Sequence, residues 1–198
     1  ELAQVPYLHR IIIGLDRADR DQFAHAVEYF SRLPQEHVVI WNDSPRMQAL
    51  EARLGALGLA PQEPGKGKNV WTAIGYLIAC ADSAVMAIHD CDILTYDRAL
   101  LARLIYPVAN PAFNYEFCKG YYARTDGTSL GGRVTRLLVT PLIIALRVVF
   151  GRSDYLDFLH SFRYPLAGEF AMRRNAIDDQ LAALRIITRG IDAIECDH

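Results

Sequence analysis

The chain has 198 residues, of which 52% are hydrophobic, 10% aromatic and 22% charged, enough apolar material for a folded core, which excludes a disordered or collagen-like chain. The formal net charge of −2 argues against a general nucleic-acid binder, which needs a strongly basic face, so any anionic ligand must be held locally. No apolar stretch reaches the ~20 residues of a membrane-spanning helix, and the longest candidate, residues 137–146, contains Thr140 and Pro141; neither nucleic acid nor membrane is expected as a partner.

Residues 10–14, Arg-Ile-Ile-Ile-Gly, form a short continuous apolar run, the pattern of a strand buried on both faces. Phe23, Ala26, Val27 and Phe30 then recur at helical spacing over 19–33. Residues 38–41 predict a second buried strand ending in the turn-forming Asn42-Asp43-Ser44-Pro45, after which Met47, Leu50, Leu54 and Leu57 mark a helix. A loop at 61–68 follows, with Asn69 in position to cap a helix carrying Trp71, Ile74, Leu77 and Ile78. Residues 85–88 predict a third strand running into His89-Asp90-Cys91-Asp92. Three strand–helix alternations argue for an α/β layer with a largely parallel sheet, in which ligands bind beyond the carboxyl ends of strands. Gly14-Leu15-Asp16, Asn42-Asp43-Ser44 and Asp90-Cys91-Asp92 fall at such ends.

From Phe113 the texture changes. Phe113, Tyr115 and Phe117 alternate with polar residues, predicting a half-buried strand that Lys119 to Arg124 extend, closed by a polar turn at 125–129. Gly131-Gly132-Arg133-Val134-Thr135 opens a long apolar helix to about Phe150, expected to be core rather than interface, and residues 170–172 predict a last short strand. The second half is α+β in character.

Two carboxylates at the end of a buried strand, Asp90 and Asp92, are hard oxygen donors suited to Mg²⁺ or Mn²⁺ with a substrate diphosphate supplying further oxygens; the competing reading is a solvated turn. Gly65-Lys66-Gly67-Lys68 precedes a helix, where amides and the helix dipole favour an anion, and is otherwise a flexible surface loop; it lacks the order of a Walker A motif. Gly132-Arg133-Val134-Thr135 is a second candidate anion site through amides, a guanidinium and a hydroxyl, against a solvent-facing arginine on a glycine-started helix. Lys119 and Arg124 could serve nearby, with exposed strand positions as their default. His9, His25, His37 and His160 show no ligand spacing, whereas His89 adjoins the carboxylate pair but is turned away from at least one of them by strand alternation. His198 becomes a third metal ligand if the chain end folds back. No GxSxG or Cys–base pairing points to an acyl-enzyme, and no paired Cys/His spacing points to zinc. Cys80, Cys91, Cys118 and Cys196 are widely spaced, the usage of reduced thiols in a cytoplasmic protein. No secretory signal opens the sequence, and the start on Glu1 suggests that the natural start lies upstream.

Taken in order, Asn42-Asp43-Ser44, Gly65-Lys66-Gly67, Asp90-Cys91-Asp92, Gly131-Gly132-Arg133-Val134-Thr135 and Tyr164-Pro165-Leu166-Ala167-Gly168-Glu169 resemble the glucosyl-3-phosphoglycerate synthases over about residues 10–174. These are retaining GT-A glycosyltransferases that move a sugar from a nucleotide-sugar donor to 3-phosphoglycerate. The resemblance implies a GT-A (Rossmann-like) α/β fold with a mixed, mainly parallel central sheet flanked by helices. It implies one domain over 1–198, with a nucleotide-sugar half at 10–95 and an acceptor half at 96–198. Ser44 and Lys66 would contact the donor nucleotide (a UDP- or GDP-hexose), with Gly14, Leu15, Asp43 and Cys91 completing the donor set. Asp90 would meet the sugar or ribose, and Asp92 with His198 the divalent metal, which makes Asp90 and Asp92 the catalytic carboxylates. Gly132, Arg133, Val134 and Thr135 would hold the acceptor phosphate. A homodimer is compatible with the resemblance.

Two departures stand out. Arg17 occupies a place where the family carries an acidic residue, and the family's Glu-Ile-Gly segment is missing where Asp178-Asp179 runs straight into Gln180. The second departure implies an incomplete chain, by deletion or by skipped residues; ordinary ~3.8 Å spacing of consecutive Cα atoms there would leave deletion. Mannosyl transfer is the close variant, and a non-catalytic remnant acting as a binding or dimerisation module is the alternative class. A sugar-nucleotide pyrophosphorylase would want a glycine-rich loop near the first strand, which residues 14–19 do not offer.

Overall fold

In the computed structural model, which describes residues 1–61, 63–80, 83–93, 96–122 and 132–178, the first apolar run becomes strand β1 (Arg10–Leu15). After α1 (Arg20–Phe30) the chain returns as β2 (Glu36–Trp41), which pairs with β1 in parallel from Arg10 opposite Glu36 to Leu15 opposite Trp41. A helical crossover is what parallel neighbours require. The start of α1 is fixed by a capping box: the Gln22 amide donates to Asp19 Oδ1 (2.8 Å), and Gln22 Oε1 accepts from the Asp19 amide (2.9 Å). Phe23 of this helix stacks on Trp41 with ring centroids 5.2 Å apart. Helix α2 (Pro45–Ala56) has Ser44 as its N-cap and buries Met47, Leu50 and Leu54. Helix α3 (Lys66–Cys80) buries Thr72, Tyr76 and Ile78 and packs against β1. Its start differs from expectation. Asn69 lies inside the helix and caps nothing, because its side chain finds partners on the strands instead.

The described residues form two compact units, the first from Glu1–Ala84, Tyr96–Ala99 and residues 173–178, the second from Val85–Thr95 and Leu100–Met172. In the second, β3 (Val85–Ile88) is followed by α4 (Arg98–Ala109), whose first two residues belong to the first unit. Strand β4 (Phe117–Lys119), helices α5 (Thr140–Phe150) and α6 (Asp154–Ser161) and strand β5 (Phe170–Arg173) complete it. The sheet order is β3-β5-β4, with β4 antiparallel to β5 from Phe117 opposite Met172 to Lys119 opposite Phe170. Leu104 and Val108 of α4 bury against Ala171, with Val85, Ala87, Ile105 and Cys118 around them. Phe117, Phe158, Phe162 and Phe170 form an aromatic cluster, with Phe117 and Phe170 5.6 Å apart and Phe158 and Phe162 4.8 Å apart. The chain then re-enters the first unit as α7 (Arg174–Asp178), where the Arg174 guanidinium donates to the Ile78 carbonyl at 2.8 Å.

The protein is therefore mixed α/β, but among the described residues its strands lie in two small sheets. Parallel pairing is seen at β1–β2, where a βαβ unit enforces it. Strands β4 and β5, with α5 and α6 between them in the chain, run antiparallel. The alternating segment from Phe113 yields a ladder over only Phe117–Lys119, since β5 offers a partner of four residues. Phe113 and Tyr115 sit exposed, Phe113 against Tyr106 and Tyr115 against Phe113. The proposed extension to Arg124, the turn at 125–129 and the junction of Asp179 and Gln180 lie outside or run beyond the described residues.

The helix expected from Val134 to Phe150 is interrupted in kind and not in length. Residues Thr135–Val139 form a π-helical turn, closed by the Thr140 amide on the Thr135 carbonyl, before α5 begins with Pro141 in its first turn. Proline has no amide to donate and crowds the carbonyl four residues back, and a wider turn relieves that crowding. The core assignment fails: Ile143 is buried, but Leu137, Leu138, Leu142, Val148, Val149 and Phe150 are exposed.

Helices α5 and α6 are tied by Asp157, whose carboxylate forms an ion pair with Arg147 at 2.7 Å and accepts from Arg152 Nε at 2.9 Å. The Arg152 hydrogen bond, helped by the charges of Arg152 and Arg147, holds the Asp157 carboxyl below the usual carboxylate range. A value depressed on folding gives a contribution that is complete at neutral pH and is lost as pH falls from about 4 through the folded value. An NMR titration of Asp157 is expected to show a midpoint below those of exposed aspartates. An ordinary midpoint would refute the tie.

Candidate active site

In the first unit the carboxyl ends of β1 and β2 are bound to each other and to α3. The Asn42 amide donates to the Leu15 carbonyl at 3.0 Å, continuing the ladder beyond its last pair. Asn69 Nδ2 donates to the Gly14 carbonyl at 3.0 Å, and Asn69 Oδ1 accepts from Asn42 Nδ2 at 3.1 Å. Asp43, predicted to line the donor site, also fixes the loop after β1. Its Oδ2 accepts from the Ala18 amide at 2.9 Å while Trp41 Nε1 donates to the Ala18 carbonyl at 2.8 Å. Within that loop Arg17 has φ of +54° and an exposed side chain. Ser44 Oγ accepts from the Met47 amide at 3.2 Å as the cap of α2, which leaves its hydroxyl hydrogen available to donate.

The two lysines of the glycine loop have different surroundings. Gly65 supplies φ of +124° before the helix, Lys66 is the exposed first residue of α3, and Lys68 is held by Glu51 at 2.7 Å. The segment is therefore not a free surface loop, and Lys66 is the lysine it presents to solvent at the helix start.

In the second unit the turn after β3 carries Asp90, half-buried, and Cys91 and Asp92, both exposed. Burial holds His89 below the usual imidazole range, against the opposing charges of Glu169 and Asp90. Such a histidine is neutral at neutral pH. Glu169 is a site feature that sequence reasoning named only as part of a motif. It is 1% exposed, accepts from the Tyr122 hydroxyl at 3.0 Å through Oε1, and has no hydrogen-bond partner for Oε2 among the described residues. Its backbone carbonyl accepts from the Gly120 amide at 2.8 Å. Lys119 is directed to the Ala167 carbonyl at 2.7 Å, and so departs from the expectation of an exposed strand lysine. Arg124 lies outside the described residues.

At the second candidate anion site Gly132 has φ of +76°, and the ring of Tyr164 lies 3.6 Å from where a Cβ would stand. Arg133 and Val134 are exposed. Thr135 is 3% exposed and its hydroxyl has no partner among the described residues. One end of the tetrapeptide thus presents a guanidinium to solvent, while the other buries an unsatisfied hydroxyl.

The donor set for a metal is partial. Asp90 and Asp92 are hard oxygen donors of the chemistry that Mg²⁺ or Mn²⁺ takes. No group of three or more His, Cys, Asp or Glu placed to hold a metal ion occurs among the described residues, and His198 lies outside them. None of Cys80, Cys91 and Cys118 forms a disulfide, and no helix among the described residues is long and apolar enough to cross a membrane.

No family model matches the chain, and no solved structure matches it. Among curated proteins, the glucosyl-3-phosphoglycerate synthase of Persephonella marina is 48% identical over 174 residues, 88% of this chain and 43% of that protein. That of Methanococcoides burtonii is 41% identical over 175 residues, 87% of this chain and 43% of its own length. The protein of the same name from Mycolicibacterium smegmatis is 28% identical over 132 residues, 64% of this chain. The chain spans less than half the length of these relatives. Over the residues it spans, the chain is therefore similar to glucosyl-3-phosphoglycerate synthases, at 48% and 41% identity to two of them.

Proposed function

We propose that the protein transfers glucose from a nucleotide-sugar donor to 3-phosphoglycerate with retention at the anomeric carbon. The observation that carries this reading is the 48% identity to the Persephonella marina glucosyl-3-phosphoglycerate synthase. A match over 174 of 198 residues leaves at most 24 outside it, so it takes in residues 25–174 and with them Ser44, Lys66, Asp90, Asp92 and Arg133 to Thr135. The finer fold reading, a GT-A-type domain with a mainly parallel central sheet, belongs to the same proposal. So do a cytoplasmic location, supported by cysteines outside disulfides, and a homodimer.

In this reading the first unit binds the nucleotide. Ser44 donates its hydroxyl, Lys66 meets a diphosphate oxygen with its ammonium and with the amides of the helix start, and Gly14, Leu15 and Asp43 line the strand ends. Cys91, in the turn after β3 of the second unit, is a donor contact by the family resemblance alone. Asp90 accepts from a hydroxyl of the sugar or ribose. Asp92, with His198, would hold a divalent cation, which when bound neutralises charge growing on the leaving diphosphate. Arg133 grips the acceptor phosphate bidentately, with the Gly132 and Val134 amides and the Thr135 hydroxyl as further donors. The acceptor hydroxyl attacks the anomeric carbon on the face from which the diphosphate leaves. Its proton passes to the departing oxygen, and no protein nucleophile is needed.

Calorimetry with UDP- and GDP-hexoses in Mg²⁺, followed by turnover with 3-phosphoglycerate, tests the assignment. Binding of one nucleotide and acceptor-dependent release of nucleoside diphosphate are expected. Absence of nucleotide binding would overturn the reading. Phosphate binding without turnover would leave the non-catalytic module.

A further inference from the structure

The position that a Cβ on Gly14 would occupy lies 1.9 Å from Asn69 Oδ1. The Asn69 carboxamide therefore sits in space that any other residue at 14 would fill. From there it donates to the Gly14 carbonyl and accepts from Asn42, which is 5% exposed. A carboxamide suits this place because it carries a donor and an acceptor on one planar group, and here one end is matched to β1 and the other to Asn42, the residue after β2. Asn69 lies three residues after Lys66, within the first turn of α3. The Lys68–Glu51 ion pair fixes the same turn against α2, and the Thr72 hydroxyl donates to the Lys68 carbonyl at 3.1 Å. The start of α3 is thus located at once against β1, β2 and α2, by side chains that leave Lys66 exposed.

We propose that Asn69 is a positioning residue for the donor site: by locking α3 to the carboxyl ends of β1 and β2, it sets where the Lys66 ammonium and the amides at the helix start meet the donor diphosphate. The inference rests on the donor-site reading above. A residue that only filled space would lower stability when truncated and leave nucleotide affinity to the folded fraction unchanged. A positioning residue lowers affinity, and does so through Lys66.

The test is a double-mutant cycle of Asn69→Ser and Lys66→Ala, read by calorimetric titration with UDP-glucose or GDP-glucose in Mg²⁺ beside thermal melts. Serine keeps the site polar and small enough to fold, and urea unfolding reports the folded fraction. Asn69→Ser is expected to weaken nucleotide binding by about tenfold to a hundredfold, the scale of a displaced positioning contact. In the Lys66→Ala background the same change is expected to cost much less, since the group it places is gone. Wild-type affinity in folded Asn69→Ser, or fully additive losses in the cycle, would overturn the inference and leave the donor site standing. A wild-type protein that binds neither nucleotide would overturn both.

Discussion

Asp92→Asn is expected to lower the proposed glucosyl transfer by about 10²- to 10³-fold, the scale on which removal of a preorganised charge-stabilising group acts. Asp92 is exposed in the turn after β3, and asparagine is as acceptable as aspartate in a turn. The change should therefore move stability by no more than about 0.5 kcal/mol, as other exposed substitutions do. Loss of rate without loss of fold is the expected pair of results, from steady-state kinetics over a range of Mg²⁺ concentrations beside a thermal melt. If Asp92 holds the cation, more Mg²⁺ recovers part of the rate. Unchanged turnover at every concentration would remove Asp92 from the chemistry. Asp90→Asn is a poorer first test, because Asp90 is half-buried and coupled to His89, so rate and stability would move together.

The proposed acceptor site offers a sharper signature. Thr135→Val replaces a buried hydroxyl that lacks a partner among the described residues with a methyl group of nearly the same size. An unsatisfied buried hydroxyl costs about 1–3 kcal/mol, so valine is expected to raise stability by about 1 kcal/mol. If the hydroxyl waits for a phosphate oxygen, the same variant raises KM for 3-phosphoglycerate about tenfold, the worth of one good hydrogen bond at about 1.4 kcal/mol. Gain in melting temperature with loss of acceptor affinity is the trade expected where stability was given up for binding. Arg133→Ala, on an exposed side chain, should leave the melt unchanged and raise the acceptor KM about tenfold to a hundredfold, from a charge-assisted contact of about 1.5–3 kcal/mol. Arg133→Lys should recover only part of this, because an ammonium cannot make the paired contact of a guanidinium. A KM for 3-phosphoglycerate that none of these changes moves would place the acceptor elsewhere.

What the sequence made legible was mostly local. Continuous apolar runs identified β1, β2 and β3, and Asp19 and Ser44 sat where caps of α1 and α2 belong. Asn69 was misread for a physical reason: asparagine favours caps because its side chain competes for nearby backbone groups, whereas here the winning partner is a carbonyl 55 residues away. Helix α4 was not anticipated, although Leu101, Leu104 and Val108 are spaced for it. Pro107 near its end obscures the pattern. The apolar composition of residues 134–150 told how little the helix favours water, not what covers it, and its exposed leucines and valines reversed the core expectation. Of the candidate site, the carboxylate turn, the lysine loop and the arginine tetrapeptide were open to proposal as short motifs. The burial of Glu169 and the bond from Asn42 to Asn69 were not, because both depend on which distant segments meet.

The π turn at Thr135–Val139 bears on how this segment can vary. A π turn holds one residue more than the α-helical arc it replaces, and each residue turns a helix by about 100°. Everything on its amino-terminal side is therefore rotated relative to α5, including the directions in which Arg133 faces solvent and Thr135 faces inward. Pro141, in the first turn of α5, favours the wide form. Deleting a single residue between 135 and 139, or replacing Pro141 so that the turn tightens, would re-aim the tetrapeptide without altering one of its letters. Two chains could then share the same Gly-Arg-Val-Thr and differ in whether it faces an anion, which makes the length of this turn as informative as the motif itself.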